Sequence, residues 1–100
     1  MNSSSPRTSI IMPAFNAEQH IAESIQSVIQ QTDPDWELLI TDDCSTDSTA
    51  EIINIFAQKD PRIRYFKNDT NSGAAASRNH SIKNASGRFI AFLDSDDRWT

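Results

Sequence analysis

The chain has 100 residues but only two glycines and one cysteine, and both shortages exclude common kinds of site. Gly73 and Gly87 fit neither of the glycine-rich phosphate-binding patterns, G-x-G-x-x-G and G-x-x-x-x-G-K. Cys44 has no second cysteine with which to form an intrachain disulfide, and no cysteine–histidine cluster has zinc spacing. A bound phosphate would therefore have to be held by a metal ion or by cationic side chains.

Long apolar runs and basic residues are also scarce. No apolar run approaches the roughly 20 residues that span a bilayer, and residues 1–9 lack the apolar core of a signal peptide. Nine lysines and arginines against 14 acidic residues give a net charge of -5, which argues against nucleic-acid binding because that needs clustered basic residues. We expect a cytoplasmic protein with a flexible polar leader at residues 1–8 and one domain at residues 9–100.

Apolar segments alternate with helical patterns along the domain. The segment from Trp36 to Thr41 is apolar at its centre without alternation, which is typical of a parallel strand covered on both faces. Pro13 is expected to close the first strand, because proline cannot donate to a ladder. The predicted strands are Ser9–Met12, Trp36–Thr41, Ile63–Phe66 and Phe89–Leu93.

Three helices fill the gaps between these strands. Asn16 with Gln19, and Ser48 with Glu51, have the spacing of capping boxes at the starts of the first two helices. The third helix is predicted over residues 74–85. The order βαβαβαβ predicts an α/β fold: an open, mostly parallel, Rossmann-like sheet with helices on both faces.

Distinctive side chains follow three of the four predicted strands, at the edge where such sheets bind ligands. Phe15 follows the first strand and is able either to stack on a base or to pack in the core. Asp42 and Asp43 follow the second, where they would accept hydrogen bonds from a base or ribose, or cap a turn. These two alternatives remain open from the residues alone.

Acidic residues also follow the fourth strand, in the segment Asp94-Ser95-Asp96-Asp97. Because Mg²⁺ and Mn²⁺ bridge carboxylate and phosphate oxygens, Asp94 and Asp96 are predicted to reach a metal–diphosphate group. Arg98 and Trp99 exclude an EF-hand loop. Arg78 is the expected cation for the diphosphate, although a surface ion pair is an alternative.

Three segments together resemble the family 2 inverting glycosyltransferases. They are Ile11-Met12-Pro13-Ala14-Phe15-Asn16, Glu37 through Asp47, and Gly87 through Asp97, with the segment from Asn71 to Asn79 also fitting. The resemblance implies the N-terminal part of a GT-A fold that binds a nucleotide-diphospho-sugar, with uracil as the expected base and a hydroxyl acceptor, saccharide or lipid-linked.

The resemblance also implies roles for individual residues. Phe15 would stack near the base, Asp43 would bond to it, and Pro13 and Asn16 would shape the loop around the nucleotide. Asp42 and Asp97 would be second choices. Asp94 would lie near the ribose and diphosphate, Arg78 near the phosphates, and Asp96 would bind Mg²⁺ or Mn²⁺.

No catalytic residue is assigned within the chain. In the family that it resembles, the general base lies beyond the D-x-D segment, so we expect this base beyond Thr100, the last residue of the sequence. The acceptor-binding part is expected there as well. The 100 residues alone are therefore expected to be inactive, although they would belong to an active enzyme.

Two other functions fit parts of the sequence. One is a non-catalytic nucleotide-binding module, and the other is a phospho-receiver signalling domain, which also has an acidic pair and a magnesium site at strand ends. His20 and His80 lack the spacing of a nucleophile–base pair, so both are expected at helix surfaces. For the full-length enzyme, bacterial polysaccharide assembly at the inner face of the cytoplasmic membrane is the expected setting.

Overall fold

The computed structural model of the chain describes residues 6–94. Four strands alternate with three helices, which confirms the predicted α/β order. Most of the predicted leader, residues 1–8, lies outside the described residues. The segment after Asp94 lies wholly outside them. The elements are β1 (Thr8–Ala14), α1 (Ile21–Ile29), β2 (Trp36–Asp42), α2 (Thr49–Lys59), β3 (Ile63–Lys67), α3 (Ala74–Asn84) and β4 (Phe89–Phe92).

The strands form one parallel sheet in the order β3-β2-β1-β4. β2 is buried at every position, as its unbroken apolar centre predicted. Met12 lies opposite Ile40 and Ile11 lies opposite Phe92, so the ends of β1, β2 and β4 meet at one edge of the sheet. β1 and β4 are neighbours although two strands separate them in sequence, which creates a switch in strand order beside β1.

One face of the sheet carries the apolar core. In α1 the apolar positions recur every three or four residues, so one side of the helix is apolar and packs on the sheet. On β1, β2 and β3 the alternate residues point to this face because successive strand side chains alternate. The core residues that these elements contribute include Ile10, Met12, Ile21, Ile25, Val28, Leu38, Ile40, Ile53 and Ile63.

The helix α3 lies on the opposite face and packs with small polar side chains. Its buried residues are Ser77 and Ser81. The Ser81 and Thr41 hydroxyl oxygens lie 2.6 Å apart, and Ser81 also donates to the Leu39 carbonyl oxygen at 3.4 Å. Helices therefore cover both faces, as predicted, but α3 is held by close backbone approach and hydrogen bonds. In residues 6–94 no helix has the length and apolarity that a membrane span requires.

The prediction that Pro13 closes the first strand is wrong. β1 continues through Pro13, which pairs with Thr41, to Ala14. Ala14 bonds to β2 through Asp43 N, whereas Ile11 bonds to β4 through Leu93 N. Because backbone groups alternate sides along a strand, Pro13 faces the β4 side, beyond the last pair, Ile11–Phe92, so no ladder bond is lost there.

The two predicted capping boxes are also wrong. α1 begins at Ile21 with His20 at the N-cap, and Asn16 lies in the preceding loop with φ of 46°. Ser48 does occupy the N-cap of α2, but its side chain makes no capping bond. Instead, Asp47 Oδ1 accepts from Thr49 N at 3.0 Å.

Candidate functional site

A cavity of about 480 Å³ opens at the carboxyl ends of β1, β2 and β4. This volume lies within the range of roughly 300–1,000 Å³ that is usual for small-molecule sites. The cavity lies where the strand order switches, which is where open α/β sheets bind ligands. It is lined by Pro13, Ala14, Phe15, Asn16, Ala17, His20, Asp43, Asn71, Gly73, Ala74, Ser77 and Asp94.

Phe15 borders the cavity and lies in the loop after β1, which is hydrogen-bonded to the loop after β2. Asn16 N donates to Ser45 Oγ at 2.9 Å, and Thr46 N donates to Asn16 Oδ1 at 2.9 Å. Ala17 N donates a third hydrogen bond, at 2.8 Å, to the hydroxyl of the threonine that begins α2. Phe15 is 49% exposed, which resolves its alternatives against core packing.

Asp43 lies at the cavity and is 4% exposed. Its Oδ1 accepts from Ser72 N at 2.7 Å and from Asn68 Nδ2 at 2.9 Å, and its Oδ2 accepts from Gly73 N at 2.8 Å. Burial by itself would raise the pKa of this carboxyl, but the three hydrogen bonds outweigh it and hold the pKa below its usual value. Asp43 is therefore an ionised acceptor at neutral pH.

The structure does not bring Asp42 to the cavity. Asp42 is fully buried, and its Oδ1 accepts from Ser45 N and Ser45 Oγ. Its Oδ2 accepts from the Tyr65 hydroxyl at 3.2 Å, and burial followed by the Asp42 charge raises the pKa of Tyr65 to about 12. Asp42 thus stabilises the turn after β2. This is the structural role that the sequence left open as the alternative to nucleotide binding.

Arg78 and Asp94 are brought together at the mouth of the site. Asp94 lines the cavity, and Arg78 Nη2 lies 3.8 Å from Asp94 Oδ1. Both side chains are well exposed, at 39% and 59%, and exposed pairs of this kind contribute about 0–1 kcal/mol. Either group is therefore able to exchange its partner for a phosphate or a cation.

The start of α3 forms another wall of the cavity. Gly73 and Ala74 line it, and the first turn of the helix carries no acidic residue. Unpaired N–H groups and the helix dipole give such a terminus a partial positive charge that favours anions. The Asp43 carboxylate already accepts from Gly73 N at this terminus, so a phosphate on this side of the cavity would bind to the N–H groups that follow in the helix and to Arg78.

The metal prediction falls mainly on Asp96, which lies outside the described residues. Within residues 6–94 no group of three histidine, cysteine or carboxylate side chains is placed to hold a metal ion. Asp94 does supply one exposed carboxylate at the cavity. Its oxygens suit Mg²⁺ or Mn²⁺, which retain several water and phosphate ligands and need only one or two carboxylates, so the described residues fit the ion.

The expected position of the general base, beyond Thr100, also falls outside the part of the chain that the structure describes. Thr100 itself lies in the same undescribed segment, which follows Asp94. The location of the base therefore stays a prediction.

Three polar cavity residues were not predicted as site residues: His20, Asn71 and Ser77. His20 was expected at a helix surface, and it is exposed at the start of α1 as well as lining the cavity. Two signals pointed to Asn71: the polar run from Asn68 to Gly73 between a strand and a helix, and the segment from Asn71 to Asn79 that fits the family resemblance. Ser77 lies in the same segment, but nothing in it singles out this serine.

Comparisons with known proteins place the whole domain in one family. The model of the family "Glycosyl transferase family 2" matches residues 9–100. The putative teichuronic acid biosynthesis glycosyltransferase TuaG of Bacillus subtilis is 46% identical over 94 residues, which are 94% of this chain and 37% of TuaG. The glucosyltransferase WfgD of Escherichia coli, named as acting from UDP-Glc on α-D-GlcNAc-diphosphoundecaprenol, is 53% identical over 91 residues, covering 91% of this chain and 35% of WfgD.

Solved structures give the same match. Staphylococcus aureus TarS in complex with UDP has a TM-score of 0.87 and 37% identity, over 92% of this chain and 28% of that one. The Pyrobaculum calidifontis mannosyltransferase in complex with GDP-Man and Mn²⁺ has a TM-score of 0.87 and 25% identity, over 97% of this chain and 29% of that one. The chain thus has the fold of GT-A enzymes and spans about a third of the length of the curated relatives it matches.

Proposed function

The chain belongs to glycosyl transferase family 2, and we propose that it forms the part of such an enzyme that binds a nucleotide-diphospho-sugar. The observation that carries the proposal is the cavity at the switch in strand order. Four residues predicted from the sequence as nucleotide-binding converge there: Pro13, Phe15, Asp43 and Asp94. A UDP-sugar is the proposed donor, because an acceptor such as Asp43 suits the N–H of uracil and the related TarS binds UDP.

The proposed orientation of the donor follows the chemistry of the cavity walls. The base lies against Phe15 and Asp43, and the diphosphate lies between the start of α3, Arg78 and Asp94. Bound Mg²⁺ or Mn²⁺, with Asp94 and Asp96 as its protein ligands, would neutralise charge on the departing nucleoside diphosphate. The mannosyltransferase neighbour, whose structure is a complex with GDP-Man and Mn²⁺, supports a divalent ion.

The proposed reaction is an inverting transfer, in which an acceptor hydroxyl attacks the anomeric carbon and the nucleoside diphosphate leaves. A general base must remove the hydroxyl proton. We assign no residue of this chain to that role. The contribution of this chain is to bind and orient the donor so that its anomeric carbon faces the acceptor.

The proposed acceptor is a saccharide hydroxyl, free or lipid-linked, as the name of WfgD suggests for that enzyme. For a lipid-linked acceptor, the full-length protein would work in the cytoplasm at the inner face of the cytoplasmic membrane. Fractionation of cells that express the full-length protein tests this location. Recovery with the membranes that is lost in high salt would fit peripheral association.

A receiver domain is disfavoured by the topology. Receiver domains have the flavodoxin-like strand order 2-1-3-4-5, in which the third strand neighbours the first. Here β3 neighbours β2 and β4 neighbours β1. The aromatic Phe15, rather than an acidic pair, follows β1.

The test is a calorimetric titration of the chain with UDP, with and without Mn²⁺. We expect binding that is tighter with Mn²⁺, and we expect Asp96→Ala to lose the effect of the metal. Asp69→Ala is the matched control, because Asp69 is an exposed aspartate that does not line the cavity. GDP and dTDP, titrated in the same way, report the preference for the base.

Failure of a folded chain to bind UDP, GDP and dTDP at millimolar concentration would contradict the proposal. Equal loss of the Mn²⁺ effect in Asp69→Ala and Asp96→Ala would show that this effect reflects the overall negative charge of the chain rather than the site.

A further inference from the structure

We propose that Asn68 is a positioning residue of the nucleotide site, which acts by orienting the carboxylate of Asp43. The inference rests on the proposed function, because it concerns the same cavity. Asn68 does not itself line the cavity, and neither its residue type nor its place in the loop after β3 marked it in the sequence. Its contacts, however, join the two walls of the site.

Asn68 Nδ2 donates two hydrogen bonds. One reaches Asp43 Oδ1 at 2.9 Å, and the other reaches the Ser77 hydroxyl at 3.0 Å. Asp43 directly follows β2, and Ser77 is a fully buried residue of α3 that lines the cavity. The Asn68 amide group therefore links the residue that follows β2 to the helix α3.

The orientation of this amide is determined by its partners. Asp43 is ionised and only accepts hydrogen bonds, so the NH₂ group, not the oxygen, must face it. The Asn68 oxygen then faces His80, whose Nδ1 lies 3.4 Å away. Asn68 N also donates to the Asp42 carbonyl oxygen at 2.9 Å, which anchors the backbone to β2. The Asn68 amide group is thus held through both its nitrogen and its oxygen.

The consequence lies in how the Asp43 oxygens are occupied. Each carboxylate oxygen has about two acceptor positions. Oδ1 accepts from Asn68 Nδ2 and Ser72 N, which fills both of its positions, whereas among residues 6–94 Oδ2 accepts from Gly73 N alone. Asn68 therefore leaves Oδ2 as the oxygen that has capacity for an N–H or O–H donor of the ligand.

The test compares the chain with Asn68→Ala and Asn68→Asp in titrations with UDP and Mn²⁺. Loss of a hydrogen bond to a charged group predicts binding about tenfold weaker or more for Asn68→Ala. The controls are Asn54→Ala and Asn54→Asp. Asn54 is an exposed asparagine on α2 that does not line the cavity, so these controls make the same chemical changes away from the site.

The pH profile of Asn68→Asp separates positioning from a merely structural role. At pH 7.5 two carboxylates face each other and repel, so binding is weak; at pH 5.5 they are able to share a proton, because like charges raise each other's pKa. The ratio of wild-type to variant affinity should therefore fall as the pH is lowered. A loop that is only loosened would give a constant ratio.

Several titratable groups belong to the elements around Asn68, and the experiment must separate them. They are Asp42, Asp43 and Cys44 at and after the end of β2, Arg64, Tyr65 and Lys67 on β3, Asp69 directly after Asn68, and Arg78, His80 and Lys83 on α3. Of these, Asp43 and His80 contact the Asn68 side chain. The profile is therefore measured in the His80→Gln background, which retains a donor near the Asn68 oxygen and removes the imidazole that contacts it.

The outcomes distinguish this inference from the proposed function. If the unsubstituted chain binds UDP and Asn68→Ala binds it equally well, the positioning role is overturned and the proposed function stands. If the affinity ratio for Asn68→Asp stays constant with pH, the role through Asp43 is also overturned. If no chain binds any nucleotide, both proposals fail together.

Discussion

Gly73 has a backbone conformation, with φ of 96° and ψ of 163°, that is almost confined to glycine. A Cβ atom at this position would meet no heavy atom within 4 Å, so a substitution there is opposed by backbone strain and not by a clash. The same residue donates its N–H to Asp43 Oδ2 at 2.8 Å. The conformation and the hydrogen bond together place the first turn of α3 beside the cavity.

We predict that Gly73→Ala destabilises the chain by about 1–3 kcal/mol, the usual cost of such strain. Because the strained residue donates to Asp43, we also expect weaker UDP binding than in the parent chain. Urea unfolding and the UDP titration measure the two effects. Ala76→Gly is the control, since it alters an exposed residue of the same turn without requiring a positive φ. Unchanged stability of Gly73→Ala would contradict the prediction.

Adjacent carboxylates show how far single residues are predictable from the sequence. Strand ends in a parallel sheet meet at one edge, so Phe15, Asp43 and Asp94 were correctly predicted to converge on a cavity. Asp42 was grouped with them, yet it is buried against Ser45 and Tyr65. Neighbouring strand residues point to opposite faces, and the sequence does not say on which face the ligand lies.

At the scale of elements, strand order and helix placement followed from periodicity, whereas helix starts did not. The capping-box rule looks for a partner three residues away. The actual partners of the loop residues Asn16, Ala17 and Glu18 lie about 30 positions away, in the loop between β2 and α2 and at the first residue of α2. Such reciprocal bonds depend on two strands being neighbours, so they are visible only once the sheet is assembled.

Glu37 is the buried acidic residue that joins the amino ends of several elements. Ser9 Oγ donates to it at 2.6 Å, Ser86 N at 2.7 Å, and Arg64 Nη1 lies 3.2 Å from its Oε1. Ser9 Oγ also accepts from Gly87 N at 2.7 Å. Glu37 therefore holds the turn that leads into β4 and, through it, the position of Asp94.

We predict that Glu37→Gln lowers the free energy of unfolding at neutral pH by about 1.5–3 kcal/mol, as expected for charge-assisted hydrogen bonds. Burial raises the pKa of Glu37, but the bonds from Ser9, Ser86 and Arg64 lower it further, so its pKa lies below 4.5 in the folded chain. Ionised Glu37 therefore favours folding above the unfolded pKa, and this stability is lost as the pH falls through the folded pKa.

Urea unfolding of both chains between pH 7 and pH 3 measures this difference. The difference in the free energy of unfolding between wild type and Glu37→Gln should become smaller as the pH falls below about 4.5. Glu51→Gln, an exposed glutamate in the first turn of α2, serves as the charge control and should lower the unfolding free energy by less, about 0.3–1 kcal/mol, because only its interaction with the helix dipole is lost. A difference that stays constant down to pH 3 would contradict the assigned role of the Glu37 charge.

At the scale of the whole molecule, the sheet has an apolar edge. β4 pairs with β1 on one side, and in the described part of the chain no strand pairs with its other side. Phe89, Ile90 and Phe92 are 54%, 43% and 56% exposed. An exposed edge strand with large apolar side chains is prone to pair with other chains.

We predict that the 100-residue chain associates as its concentration rises, and that Phe92→Lys reduces this association, because a lysine on an edge strand opposes pairing. Sedimentation or light scattering over a range of concentrations measures the change. Ile55→Lys is a matched control, because Ile55 on α2 is 53% exposed and lies away from the edge. Equal effects of the two lysines would mean that net charge, and not the edge of the sheet, governs association.

The polar attachment of α3 has a consequence for the order in which parts of the molecule open. Local opening is easiest where few apolar contacts are lost, and α3 buries Ser77 and Ser81 where α1 buries isoleucine and valine. The amides of α3 should therefore exchange their hydrogens sooner than those of β1 and β2. A ligand that contacts both β1 and the start of α3 would oppose the opening of α3 and reduce this difference in exchange rate. Slower exchange in α3 would therefore report occupancy of the cavity.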